Sequence, residues 1–252
     1  MARRRRLPAL PFLLLATLFL TLIGACGIGA GSRPATSTPR ATEEVPGPSP
    51  GVPLDLDLAD KLLHDGDPEQ ALAIYDAVAA SSQNGGAEWR RAVQSAARVH
   101  YQEGRPDDVD ASLTALLAEG PSARERQSAL LLLGAARQEA DRTDTAREAL
   151  SKYIEAGGEA AGFARLRLAA ALTADGEDAA AVKEIRLALA DDLPPPQQTT
   201  ALFALARGLE ATGADAEALA TWQRAADEGD PPSQQGEALW LLANLALRLG
   251  DD

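Results

Sequence analysis

The chain has 252 residues, with 37 acidic against 24 basic side chains and a formal net charge of −13. A surface this acidic offers no general basic patch for nucleic acid. A single cysteine excludes an intrachain disulfide, so any folded part must rest on its core.

Four arginines, Arg3 to Arg6, open the chain ahead of an uncharged apolar run from Leu7 to Ile23. A basic region followed by an apolar one is the layout of an export signal. At about 17 residues, interrupted early by Pro8 and Pro11, the run sits at the lower edge of what crosses a bilayer. Ile23-Gly24-Ala25 then leads into the lone Cys26, and small residues there let a peptidase accept an extended backbone. This string resembles the lipobox of bacterial lipoproteins. The resemblance implies a signal peptide over 1–25 and an acylated Cys26 as the first mature residue. Two or more acyl chains hold a protein stably on a membrane, where one binds only marginally.

Residues 26–52 are rich in Gly, Pro, Ser and Thr and nearly empty of large apolar side chains. Such a segment cannot bury enough surface to fold and reads as a disordered tether. It would span about 28 Å as a flexible coil, and up to about 80 Å if stiffened by proline.

From residue 53 to 252 the chain repeats itself. HDGDPEQALAIYDAV, QEGRPDDVDASLTAL, EADRTDTAREALSKY, ADGEDAAAVKEIRLA and ATGADAEALATWQRA align, each a polar turn followed by an amphipathic helix. Their small or apolar anchors are Ala71, Val109, Ala146, Ala181 and Ala218, at steps of 38, 37, 35 and 37 residues. Four residues after each anchor comes a large one: Tyr75, Leu113, Leu150, Ile185 and Trp222. A further helix precedes each turn, with a small residue twelve positions before the anchor: Ala59, Ala97, Gly134, Ala169 and Ala206. Small residues at both places let paired helices approach closely while the large one fills the gap. Asp67-Pro68-Glu69-Gln70 predicts an N-cap, a first-turn proline and a capping box. Gly66, Gly104, Gly176 and Gly213 stand where first helices should end in a left-handed turn. Gly120-Pro121, Pro194 to Pro196 and Pro231-Pro232 separate repeats.

The pattern resembles the tetratricopeptide repeat, with Leu133-Gly134 and Ala146, and Leu205-Ala206 and Ala218, at its most informative positions. The resemblance implies an all-α, right-handed superhelical solenoid of helix-turn-helix units, about five and a half of them. The repeats run slightly longer than the 34-residue consensus, and most lack the usual tryptophan and tyrosine of the first helix. In this family ligands lie along the concave side, lined by the first helix of each pair. The register then places Arg91, Gln94, Arg98 and Tyr101 in the groove, followed by Gln138 and Phe163. Phe203, Arg207 and Glu210 come next, then Trp240 and Asn244. Arginines match carboxylates bidentately and aromatics supply rigid contact area, as a protein-binding groove requires.

Nothing argues for catalysis. His64 ends a helix, and His100 falls mid-helix, where it should pack in a repeat core. Neither has a partner at metal-ligand spacing, and no phosphate loop or nucleophile elbow is present. No cofactor or metal is expected. Without residues 1–25, 37 acidic side chains face 20 basic ones, a charge of about −17. Such a surface suits solubility outside the cytoplasm and attracts basic partners. It does not draw the protein to anionic lipid, which leaves the acyl group as the membrane contact.

The expected function is a lipid-anchored scaffold for protein–protein interactions in the bacterial cell envelope, on the periplasmic or cell-surface side. The alternative is the N-terminal helical region of a cell-wall lytic transglycosylase whose catalytic domain is absent from this chain. Residues 236–252 read as the first helix of a sixth repeat and its turn. With leucine and tryptophan on nearly every face, that helix expects cover from a longer chain or another protomer.

Overall fold

Many of the helix boundaries follow a local rule. In the computed structural model, which describes residues 54–250, eleven α-helices succeed one another. They are α1 (Leu56–His64), α2 (Pro68–Ser81), α3 (Ala87–Gln102), α4 (Pro106–Ala118), α5 (Ala123–Glu139), α6 (Thr143–Glu155), α7 (Ala161–Ala174), α8 (Asp178–Ala190), α9 (Pro195–Ala211), α10 (Asp215–Glu228) and α11 (Pro232–Leu249). The expected export signal, Cys26 and the tether lie outside the described residues, as do Asp251 and Asp252.

Prolines open α2, α4, α9 and α11, where a missing N–H costs nothing because the first turn has no intrahelical acceptor for it. Asp67 caps α2 by accepting from the Gln70 N–H at 3.1 Å. The Gln70 amide donates to the Asp67 carboxylate at 2.6 Å instead of reaching back to the backbone, so the expected box closes only by half. A complete box forms at α5, where Ser122 and Glu125 satisfy each other's backbone N–H. The turns after α1, α3, α7 and α9 place Gly66, Gly104, Gly176 and Gly213 at positive φ, as the sequence predicts. After α5 the same place is taken by Asp141 at φ 56°, a residue type that tolerates the left-handed region.

Consecutive helices pack side by side along the whole series, giving five antiparallel pairs and a single last helix. The anchors carry this packing. Ala71, Val109, Ala146, Ala181 and Ala218 are wholly buried, and so are Tyr75, Leu150 and Trp222 among the large residues after them. Ala59, Ala97 and Ala206 are equally inaccessible, and Gly134 is buried. Burial of leucines and aromatics at about 1.5–3 kcal/mol each supplies the drive, and the small residues set the spacing. One continuous core runs from Trp89 in α3 to Leu245 in α11, with a second cluster around Tyr75 joining α1, α2 and α3. Contacts between alternate helices join α3 to α5, α5 to α7 and α7 to α9. The odd-numbered helices therefore form the tighter side of the stack.

Candidate peptide-binding groove

On that tighter side, α3, α5 and α7 enclose a cavity of about 460 Å³. Its walls carry Gln94, Arg98 and Tyr101 from α3, Leu131 and Leu132 from α5, and Phe163 and Arg167 from α7. Phe163 is 39% exposed, a high value for a phenylalanine on an otherwise packed helix.

The polar groups are arranged unevenly. Arg98 donates to Ser95 Oγ at 3.1 Å, a contact within its own helix. Arg167 donates to Gln138 Oε1 at 3.2 Å and to the Tyr101 hydroxyl at 3.4 Å. Neither guanidinium meets a carboxylate within ion-pair distance among the described residues. Several arginines elsewhere are paired, Arg91 with Asp57 and Asp60, Arg137 with Asp110, Arg147 with Asp175 and Glu177, and Arg165 with Glu184. Arg105, Arg124 and Arg126 also lack a carboxylate at ion-pair distance among the described residues. What sets Arg98 and Arg167 apart is that they share one cavity. Two guanidiniums without a carboxylate at ion-pair distance thus line one cavity, where an entering carboxylate would find charge-assisted donors. Gln94 adds a buried Nε2 with no hydrogen-bond partner in the described structure. A buried donor left this way costs free energy until something accepts from it. Tyr101 donates to Glu139, and its hydroxyl is pushed above the usual phenol range by burial first and by Glu139 second. It therefore stays protonated, as a hydrogen bonder.

The sequence register thus brings Gln94, Arg98, Tyr101 and Phe163 to one cavity, with Gln138 at its edge through Arg167. The remaining positions go elsewhere. Arg91 is tied to α1 at 2.6 and 2.7 Å. Phe203 is half-buried edge-on against Trp222, with centroids 5.0 Å apart. Arg207 stands 3.9 Å from Glu237, and Asn244 donates to the Trp240 carbonyl at 2.8 Å. Glu210 accepts from the Trp222 indole at 2.8 Å and pairs with Arg248. Arg167, Leu131 and Leu132 were not foreseen. Arg167 lies two residues before the small anchor Ala169, an offset the register did not use. Leu132 occupies the same offset before Gly134, so the groove is wider than one helical ridge.

His64 lies in the last turn of α1, and His100 is buried within α3, as expected. No cluster of three or more metal-ligating side chains occurs among the described residues.

No family model and no curated protein matches the chain by sequence. Solved structures do match. MamA is 21% identical with a TM-score of 0.60, over 68% of this chain and 94% of its own. YrrB, described as a TPR protein with an unusual peptide-binding site, is 19% identical with a TM-score of 0.59, over 74% and 89%. The TPR-like repeats of a Podosopora anserina putative kinesin light chain are 18% identical with a TM-score of 0.55, over 68% and 90%. The fold is that of a tetratricopeptide-repeat solenoid. At these identities the likeness concerns the fold, and the groove has to be judged on its own chemistry.

Proposed function

We propose that this protein is a lipid-anchored scaffold of the bacterial cell envelope that captures a peptide segment of another protein in the α3–α5–α7 cavity. The observation that carries the reading is the pair Arg98 and Arg167, held over an apolar floor of Leu131, Leu132 and Phe163 without carboxylate partners. An extended peptide with an acidic side chain or free C-terminal carboxylate beside an apolar residue would satisfy both halves. Gln94 Nε2 would gain a backbone carbonyl acceptor.

A tetratricopeptide-like solenoid supports a protein or peptide partner, and YrrB is a relative in fold whose description includes a peptide site. The strongly negative charge of the chain disfavours acidic segments over most of the surface, and the two arginines would relieve that repulsion at the cavity. Anchorage at Cys26 and export across the membrane rest on the arginine-led apolar run and the Ile23-Gly24-Ala25-Cys26 string. No observation favours the lytic-transglycosylase alternative.

The test is a selection from a random peptide library displayed with free C-termini, run against the protein and against Arg98→Glu/Arg167→Glu. Wild-type selection should enrich peptides with a carboxylate next to a large apolar residue, and the variant should lose that enrichment. The same enrichment with both proteins would sink the reading.

A further inference from the structure

The chain has two asparagines, and the fold gives them opposite surroundings. Asn244 lies inside α11, where its side-chain amide donates to the Trp240 carbonyl at 2.8 Å. The buried Leu245 follows it. Asn84 lies in the connector 82–86 between α2 and α3 and is exposed. Its side-chain amide makes no hydrogen bond among the described residues, and Gly85 follows it.

The connector is a tight turn. The Gln83 carbonyl accepts from the Gly86 N–H at 2.9 Å, so Asn84 and Gly85 form its corners. Gly85 stands at φ 74°, the left-handed value that a type II turn needs at its third residue. Its own N–H donates to nothing among the described residues. Glycines that follow an acidic residue at a helix end are held differently. After α1, Gly66 N–H donates to the Leu63 carbonyl at 3.2 Å, and after α7, Gly176 N–H donates to the Thr173 carbonyl at 3.0 Å. The amide nitrogen of Gly85 is therefore the free one.

That nitrogen is tethered beside the Asn84 side-chain carbonyl carbon, which gives the pair a high effective concentration. Glycine has no Cβ to block the approach and leaves the backbone free to swing. Asn84 must rotate about its Cα–C bond for the two atoms to meet. The single hydrogen bond from Gly86 to Gln83 is the backbone contact that this rotation breaks.

We propose that Asn84 is a site of spontaneous backbone-assisted deamidation. The Gly85 nitrogen, losing its proton to hydroxide, bonds to Asn84 Cγ. The Cγ–Nδ2 bond breaks, the nitrogen leaves as ammonia with a proton from water, and a cyclic imide closes. Water then opens the imide at either carbonyl and leaves aspartate or isoaspartate. The sum consumes water and releases ammonia, with no oxidant or reductant. Isoaspartate lengthens the main chain of the connector by a methylene, just before the helix that carries Gln94, Arg98 and Tyr101. Either product adds a negative charge near Glu119, whose carboxylate lies 3.1 Å from where a Cβ on Gly85 would stand.

The test ages the full-length protein in detergent at neutral and at mildly alkaline pH and maps its peptides by mass. Exchange of the amide for a carboxylate raises the mass of the fragment holding Asn84, faster in the alkaline sample. Conversion should run at least about tenfold faster than at Asn244, whose helix must open before its backbone can turn. The product should elute as two species of equal mass, aspartate and isoaspartate. Asn84→Gln, at an exposed side chain without hydrogen bonds, should remove the gain with helicity unchanged. The same chain unfolded in guanidinium chloride sets the intrinsic rate. Conversion in the unfolded chain but not in the folded one overturns the proposal, because the turn then protects its asparagine. Equal conversion at Asn84 and Asn244 in the folded protein overturns it too, as does a mass gain that persists in Asn84→Gln.

Discussion

Gly134 in α5 lies directly against Leu150 in α6: a Cβ built on Gly134 would come within 2.7 Å of Leu150 Cγ. In this repeat the small position before the turn and the large position after it are one contact, and the equivalent positions of the other repeats are buried as well. Replacing Gly134 by valine should cost about 2 kcal/mol or more, because the overpacking outweighs the helix propensity gained. Urea unfolding measures this, and an unchanged midpoint would refute the contact's role.

That contact explains why the fold was legible. Close helix packing admits only small residues at one place and demands volume at another, so the 37-residue rhythm survives in the letters. Gly66, Gly104, Gly176 and Gly213 were readable for a similar reason, since a left-handed turn admits few residues. Asp141 hid its turn by being the tolerated exception. The groove was legible only in part. Gln94, Arg98 and Tyr101 follow from the register of α3, whereas Arg167 depends on how wide the cavity opens between α5 and α7. Nor could the letters tell a paired arginine from a free one: Arg91 and Arg98 are seven residues apart on one helix, and only the first has carboxylates beside it.

On the α4–α5–α6 surface, Asp110 accepts from Arg137 at 2.7 Å and from Arg142 at 2.8 Å. The Arg137 hydrogen bond, ahead of its other neighbours, holds the carboxyl below the usual aspartate range. A lowered folded pKa adds stability above the unfolded value, and the gain is lost as pH falls through the folded one. Asp110→Asn should therefore cost about 1–2 kcal/mol at pH 7. The gap to wild type should narrow as pH drops below 3.8, the ordinary aspartate value. A gap independent of pH would show that the charge contributes nothing.

His100 also loses stability as pH falls, but because its neutral form is the one the fold keeps. It is 7% exposed, with Nδ1 3.7 Å from Asp108 and without a hydrogen-bond partner. Burial pushes its pKa below the usual imidazole value of 6.5; Asp108 opposes that shift and Arg105 adds to it. As pH falls through 6.5, the unfolded chain takes up a proton that the folded one refuses, so stability should decline from there downward. His100→Leu should flatten this decline in denaturant midpoints taken between about pH 7 and 5. A slope identical to wild type would assign it to other groups.

At the other end of the chain, Cys26→Ala should leave an unprocessed precursor that takes up no fatty acid. Metabolic labelling with a palmitate analogue reads this directly. Label retained by the variant would remove the anchor from the account.

The central claim is that Arg98 and Arg167 receive the carboxylate of a captured peptide, and a binding isotherm tests it most directly. A peptide selected on the wild-type protein should bind Arg98→Glu/Arg167→Glu at least about tenfold more weakly, since a charge-assisted pair becomes a repulsion. Arg207→Glu lies outside the cavity and should leave the affinity within about twofold, and capping the peptide's carboxylates as amides should reproduce the double variant's loss. Equal affinity of the wild-type and doubly substituted proteins would contradict the account.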